Sequence, residues 1–358
     1  MWNVTRRRLL QTAGAASTLP LLGAQARAAD PLKVSFVYIG PIGDHGWTYA
    51  HDQGRLEAIE KFGDAIDVSY VENVAEGPDS ERVIRRLAED GSNLVFTTSF
   101  GYMNPTLKVA KRFKDVKFEH ATGYQRAPNM ATYNARFYEG RAVCGTIAGH
   151  MSKTGVAGYI ASFPIPEVVM GINAFTLAAR KVNPNFQTKV LWVSSWYDPA
   201  KEADAAKALI DQGADVIAQH TDSPAALQAC EQRGLMAFGQ AWDMSSFAPT
   251  AHLTAIANKW GTYYVDRIQQ ALDGTWESTD TWWGLKEGVL EMTPFNDRIP
   301  GDVQAAAKAT EQGIIDGSAP AFAGPIFDQT GAQRIGDGEA LGDEDLHKMD
   351  WYVQGVQT

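Results

Sequence analysis

Aromatic and acidic side chains recur just after the segments that read as strands. Trp47, Phe100, Tyr102, Phe163, Trp196, Tyr197 and Trp242 form one group, and Asp44, Asn73, Ser99, Asp222 and Asp243 form a second. An aromatic face stacks on a flat ring. An ionised carboxylate accepts hydrogen bonds and donates none. Together they suit a flat ligand rich in N–H or O–H donors, such as a nucleobase, a ribose or a sugar. They suit a carboxylate or phosphate poorly, and these loops hold no Arg pair for a bidentate grip on an anion. The plainer alternative is that several of these rings tuck beneath their own loops.

Patterns for bond-making chemistry are missing. Neither H-E-x-x-H nor G-x-S-x-G occurs, and His45 and His51 are six apart rather than at the i, i+4 spacing of a zinc helix. Gly40-x-x-Gly43-x-x-Gly46 follows a strand and precedes a helix, but its spacing is not the G-x-G-x-x-G of a dinucleotide site. Its glycines suit a tight turn beside a ligand. Asp337, Glu339, Asp343, Glu344 and Asp345 do not match a calcium loop and read as solvated surface. No cofactor, metal or catalytic group is expected.

The elements that position these loops alternate between strand and helix. Strands are predicted at 32–39, 66–71, 94–98 and 116–119, then at 155–161, 189–193, 216–219 and 235–238, with helical spacing between them. The second set follows the first by a nearly constant 119–123 positions. That offset predicts two α/β lobes, each a doubly wound parallel sheet with helices on both faces. Ligands of such sheets bind outside the carboxyl ends of the strands, so two facing lobes make a cleft. A strand at 252–257 and a helix at 259–272 fall outside the repeat and are expected to return to the first lobe. The expected division is therefore 30–136 plus 250–275 for the first lobe and 137–249 plus 276–358 for the second.

The chain has 358 residues, 45% hydrophobic and 21% charged, with a net charge of −10, which disfavours a nucleic-acid partner. Residues 1–28 carry Thr5-Arg6-Arg7-Arg8-Leu9-Leu10-Gln11, a short apolar stretch and Ala26-Arg27-Ala28. This resembles a twin-arginine (Tat) secretion signal; a Sec signal and an uncleaved anchor are the alternatives. Its removal takes away four Arg and no acid, leaving 28 basic against 42 acidic residues, a net −14. A periplasmic, soluble protein is expected. Cys144 and Cys230 fall in helical patterns and read as buried free thiols.

Four segments carry a family resemblance: VSFVYIGPIGDHGWTYAHDQGR from Val34, SFPIPEVVMGINAFTLAAR from Ser162, DQGADVIAQHTDSPA from Asp211 and GQAWDMSSFAPTAHLTAIANKWG from Gly239. In that order they resemble the basic membrane protein (BMP) family of ABC-transporter substrate-binding proteins, over residues 31–316. The resemblance implies a type I periplasmic-binding-protein fold with three hinge crossovers. It also implies a purine nucleobase or nucleoside as ligand, an ABC permease as partner and a monomeric receptor without catalysis. Trp47 matches the first-lobe stacking position and Trp196 is similarly placed in the second lobe. Asp243 and Lys259 lie where the family has polar contacts, and Asn173 is a further candidate. With the strand-end residues Asp44, Ser99, Phe100, Tyr197 and Trp242 these make the expected site. A sugar receptor of the same fold and, after it, a Tat-exported enzyme are the rival readings.

Overall fold

The computed structural model describes residues 30–358, so the expected signal peptide at 1–28 lies outside the described residues. The first lobe begins β1 (Leu32–Val37), α1 (Gly46–Phe62), β2 (Ile66–Val71), α2 (Pro78–Glu89), β3 (Leu94–Thr97), α3 (Met103–Ala110), β4 (Lys117–Ala121) and β5 (Met130–Ala135). The chain crosses to the second lobe with α4 (Phe137–Met151), followed by β6 (Val156–Ala161), α5 (Pro166–Val182), β7 (Gln187–Trp192), α6 (Pro199–Asp211), β8 (Val216–Gln219), α7 (Ala225–Arg233), β9 (Met236–Ala241) and β10 (His252–Asn258). It returns for α8 (Gly261–Asp273) and β11 (Asp280–Trp283), then crosses a third time to β12 (Leu290–Met292) and α9 (Gly301–Ile315).

The two sheets repeat one strand order, β2-β1-β3-β4-β5-β11 in the first lobe and β7-β6-β8-β9-β10-β12 in the second. Neighbours are parallel throughout except β12, which runs antiparallel to β10. The central strands read as unbroken apolar runs because both faces are covered by helices; Leu94, Val95 and Phe96 are all fully buried. Cys144 and Cys230 are buried and unpaired. No helix among the described residues is long and apolar enough to cross a membrane.

The expected lobe division needs correcting at two places. Strand β10 does not return to the first lobe. It pairs in parallel with β9, as β5 pairs with β4, and starts 122 positions after β5. Only α8 returns, packing on α1, and β11, expected in the second lobe, adds to β5 at the edge of the first sheet. The docking of α8 is fixed by a buried cluster: Glu119 on β4 accepts from Arg267 Nε at 2.6 Å, Tyr263 Oη at 2.7 Å and Trp276 Nε1 at 2.6 Å. Removing one partner of such a buried pair costs about 3–5 kcal/mol.

Beyond α9 the chain forms a short hairpin, β13 (Ile326–Phe327) and β14 (Gln333–Ile335), a single turn α10 (Asp343–Leu346) and β15 (Val356–Gln357), which pairs with β7. The acidic stretch is mostly exposed as expected, yet Leu346 and Met349 are buried. This tail is held to the second lobe by β15 and by Asn173. From there it reaches Arg136 at the first crossover, which grips Asp343 through two bonds of 2.6 and 2.7 Å.

Candidate functional site

A cavity of about 560 Å³ lies between the carboxyl ends of the two sheets, within the range of small-molecule sites. Four described non-glycine residues have a positive φ: Asn73, Thr122, Ser194 and Ala241. All follow or end strands at this cleft, and the first three line it. They form two pairs, Asn73 with Ser194 and Thr122 with Ala241, 121 and 119 positions apart, so the repeat extends to the backbone of the site. Such conformations cost energy and persist where the surroundings impose them, often at ligand sites.

Trp47 stands in the first turn of α1. Its indole N–H donates to the Thr98 carbonyl at 2.6 Å, and its ring meets His51 edge-on at 4.2 Å between centroids and Trp260 at 5.6 Å. The ring is thus held in one orientation and lines the cavity. From the second lobe come Phe163 and Trp196, 5.0 Å apart, with His220 6.3 Å from Trp196. Aromatic surface therefore faces the cavity from both lobes.

Polar groups complete the walls. Glu167, in the first turn of α5, accepts from Asn134 Nδ2 on β5 at 3.0 Å and lies 3.5 Å from His220 Nε2. Burial holds the His220 imidazole below its ordinary pKa against the pull of Glu167, so it is neutral at pH 7. Across the cleft, Asp222 accepts from the Trp47 backbone N–H at 2.7 Å, and burial pushes its carboxyl up to about 8. Gly46 sits against this contact with φ +78°, and a Cβ there would meet the Asp222 carbonyl oxygen at 2.8 Å. The last glycine of the G-x-x-G-x-x-G run is thus required by its backbone conformation and by the closeness of the other lobe.

Of the ten residues expected at the site, Trp47, Ser99, Phe100, Trp196 and Tyr197 line the cavity. The Ser99 hydroxyl is already engaged, donating to Glu76 at 2.6 Å. The other five stand elsewhere. Asp44 is exposed and pairs with its neighbour His45 at 2.8 Å. Asn173 is buried in α5 with its amide bound to the tail, donating to the Trp351 carbonyl at 2.8 Å and accepting from Val353 N at 3.1 Å. Trp242 lies under Lys259, whose ammonium is 4.5 Å from the ring and 3.6 Å from Glu291. Asp243 accepts from Ser245 N at 2.8 Å. The reason is local: β9 ends at Ala241 in a left-handed conformation, and beyond it the chain leaves the cleft. Gln240, one residue earlier, is the residue that lines it. The loops containing Glu167, His220 and Gln240 are legible as strand ends; Glu167 is the lone acid of its loop and could have been found by the signal that selected the aspartates, whereas His220 and Gln240 carry no such signal.

A family model described as ABC transporter substrate-binding protein PnrA-like matches residues 32–319. The chain belongs to this Bmp family. Among similar proteins, a purine-binding protein of Brucella abortus is 58% identical over 94% of this chain and 96% of its own length. A putative ABC transporter glucose-binding protein of Haloferax volcanii is 38% identical over 92% and 81%. A solved solute-binding protein of an Aeropyrum pernix ABC transporter superposes with a TM-score of 0.71 at 18% identity, over 89% of this chain and 96% of that one. The two-lobed architecture of this Bmp protein is thus that of ABC solute-binding proteins, and its cleft lies outside the carboxyl ends of the strands, where α/β sheets in general bind ligands.

Proposed function

We propose that this Bmp-family protein is the periplasmic receptor of an ABC importer for a purine nucleobase or nucleoside. The observation that carries the reading is the 58% identity, nearly end to end, with a purine-binding protein. The cleft supports it: Trp47 offers a ring from one lobe, Trp196 and Phe163 from the other, and the base would lie between them. Ser99, Phe100 and Tyr197 border the same space, and Glu167 supplies an acceptor for ring or exocyclic N–H groups. Residues 1–28 would act as a Tat-type signal. The folded receptor would work as a monomer, close by rotation about its three crossovers, and hand its ligand to an ABC permease without any covalent step.

A sugar is the second reading. It is favoured by the glucose-binding description of the Haloferax relative, and aromatic faces with carboxylate acceptors serve sugars too. Mass spectrometry of small molecules released by denaturing the purified protein tests both. A released purine, with calorimetric binding of that purine to the refolded protein, supports the first reading. A hexose, with no heat from adenine, adenosine, hypoxanthine or guanosine, overturns it.

A further inference from the structure

Arg141, in the second turn of α4, is completely buried and has no carboxylate within ion-pair distance among the described residues. Its Nη2 donates to Gln240 Oε1, while its Nε and Nη1 make no aligned hydrogen bond, although the Tyr159 hydroxyl lies close by. A guanidinium only donates. The oxygen of the Gln240 amide must therefore face Arg141, because the reversed amide would set N–H against a buried cation. With the oxygen held there, the NH2 group points away from Arg141, and Gln240 lines the cleft. No hydrogen bond from this NH2 to any described residue is formed. The neighbouring His220 is neutral and its Nδ1 is unpartnered. Arg141 adds an uncompensated positive charge behind this wall, which favours electronegative ligand atoms in front of it.

We propose that Gln240 is a specificity-determining residue that donates its amide N–H to an acceptor atom of the bound ring, an unprotonated ring nitrogen or a carbonyl oxygen. Arg141 is the positioning residue that locks the amide in this sense. The inference deepens the reading of the cleft as a purine site and rests on it for the ligand class. A protonated ring nitrogen or an exocyclic amine is excluded from the place opposite Gln240, since two donors would meet there. Where that edge faces Gln240, a pair such as hypoxanthine and adenine, which exchange donor and acceptor along it, is told apart.

Two variants and calorimetry with adenine, hypoxanthine, guanine, xanthine and D-glucose test this. Gln240→Glu keeps the shape, pairs with Arg141 and presents only acceptors to the cleft. Its ligand-free thermal stability should equal or exceed that of the wild type, while affinity for the wild-type ligand falls about tenfold or more. Arg141→Met frees the amide to turn, so the ratio of Kd values for hypoxanthine and adenine should move at least fivefold toward unity. Unchanged affinity in Gln240→Glu, or equal weakening of both bases in Arg141→Met, overturns the proposal; should Arg141→Met not fold, Gln240→Glu alone decides. Wild type that binds purine, with Gln240→Glu unaffected, sinks the inference and leaves the purine reading. Wild type that binds only glucose, which offers neither of these acceptors, sinks both. Binding of none of the five sinks both.

Discussion

Trp47 and Asp222 join the two lobes directly: the backbone N–H of the first donates to Oδ1 of the second at 2.7 Å. The contact closes one side of the cleft, and Gly46 makes room for it. Gly46→Ala should therefore act on closure. A left-handed alanine costs about 1–2 kcal/mol wherever the lobes stand, and the methyl adds a clash only when they meet. Ligand affinity should drop tenfold or more, and small-angle scattering with ligand should show a more open particle. Scattering identical to that of the closed wild type would show that the lobes accommodate the methyl.

The same pair predicts a pH dependence. The Asp222 carboxyl, pushed up to about 8 in the closed arrangement, has an ordinary value near 3.9 when solvated. Between those values the closed form holds a proton that an open or unfolded form has lost. The stabilisation is full below about pH 4 and is lost as pH rises through 8. Affinity should weaken from pH 5 to pH 8, and Asp222→Asn should flatten the profile. An affinity that rises with pH over this range would contradict the assignment.

Trp47 and Trp196 differ in how they are held. Stacking on a base is worth ~1–3 kcal/mol, so alanine at either position should weaken purine binding about 5- to 150-fold. Trp196→Ala should leave ligand-free stability nearly unchanged. Trp47→Ala should lower it, because Trp47 also packs on His51 and Trp260 and bonds the Thr98 carbonyl. Thermal melts of both variants without ligand check the contrast.

Asp243 is engaged with Ser245 and stands outside the cavity lining. Asp243→Asn should leave the ratio of nucleoside to base affinity within about twofold of the wild type, since no ligand contact of ~1.5–3 kcal/mol is removed. A selective loss of nucleoside binding in calorimetric titrations would place the ribose beside Asp243.

Export is tested separately from binding. Replacing Arg6 and Arg7 with Lys should trap precursor in the cytoplasm if residues 1–28 are a Tat-type signal. Fractionation that finds the variant in the periplasm at the wild-type level would refute that reading.

The sheets were legible where sequence carries its own punctuation. Val216–Gln219 reads as a strand because Val216, Ile217 and Ala218 follow Asp215 directly and the turn residues Thr221, Asp222, Ser223 and Pro224 come just beyond. Met130–Ala135, with Asn134 and three residues of threonine size or smaller (Ala131, Thr132 and Ala135), lacks that contrast, and it follows a turn that obscures its start. Without β5 in the pattern, its counterpart β10 had no partner in the repeat and fell to the wrong lobe. At the site, the aromatics announced themselves as exposed rings in loops. Arg141 gave no signal: α4 is buried on nearly all sides, so no face of it stands out as facing a cleft. Asn173 shows the converse, a polar residue whose partner, the tail at Val353, is 180 positions away.

The tail also bears on how such a protein responds to its medium. The family match ends at residue 319, so the stretch that carries Asp343 lies beyond the shared body. Asp343 rides with the second lobe, while Arg136 is bound to the first through the Trp282 and Trp283 carbonyls. Any swing that parts the lobes on this side must stretch that ion pair, which is partly open to water. Dissolved ions weaken such an attraction over a Debye length of about 8 Å at physiological strength. The tail is thus a leash whose stiffness is set by salinity: slack in brine, taut in dilute solution.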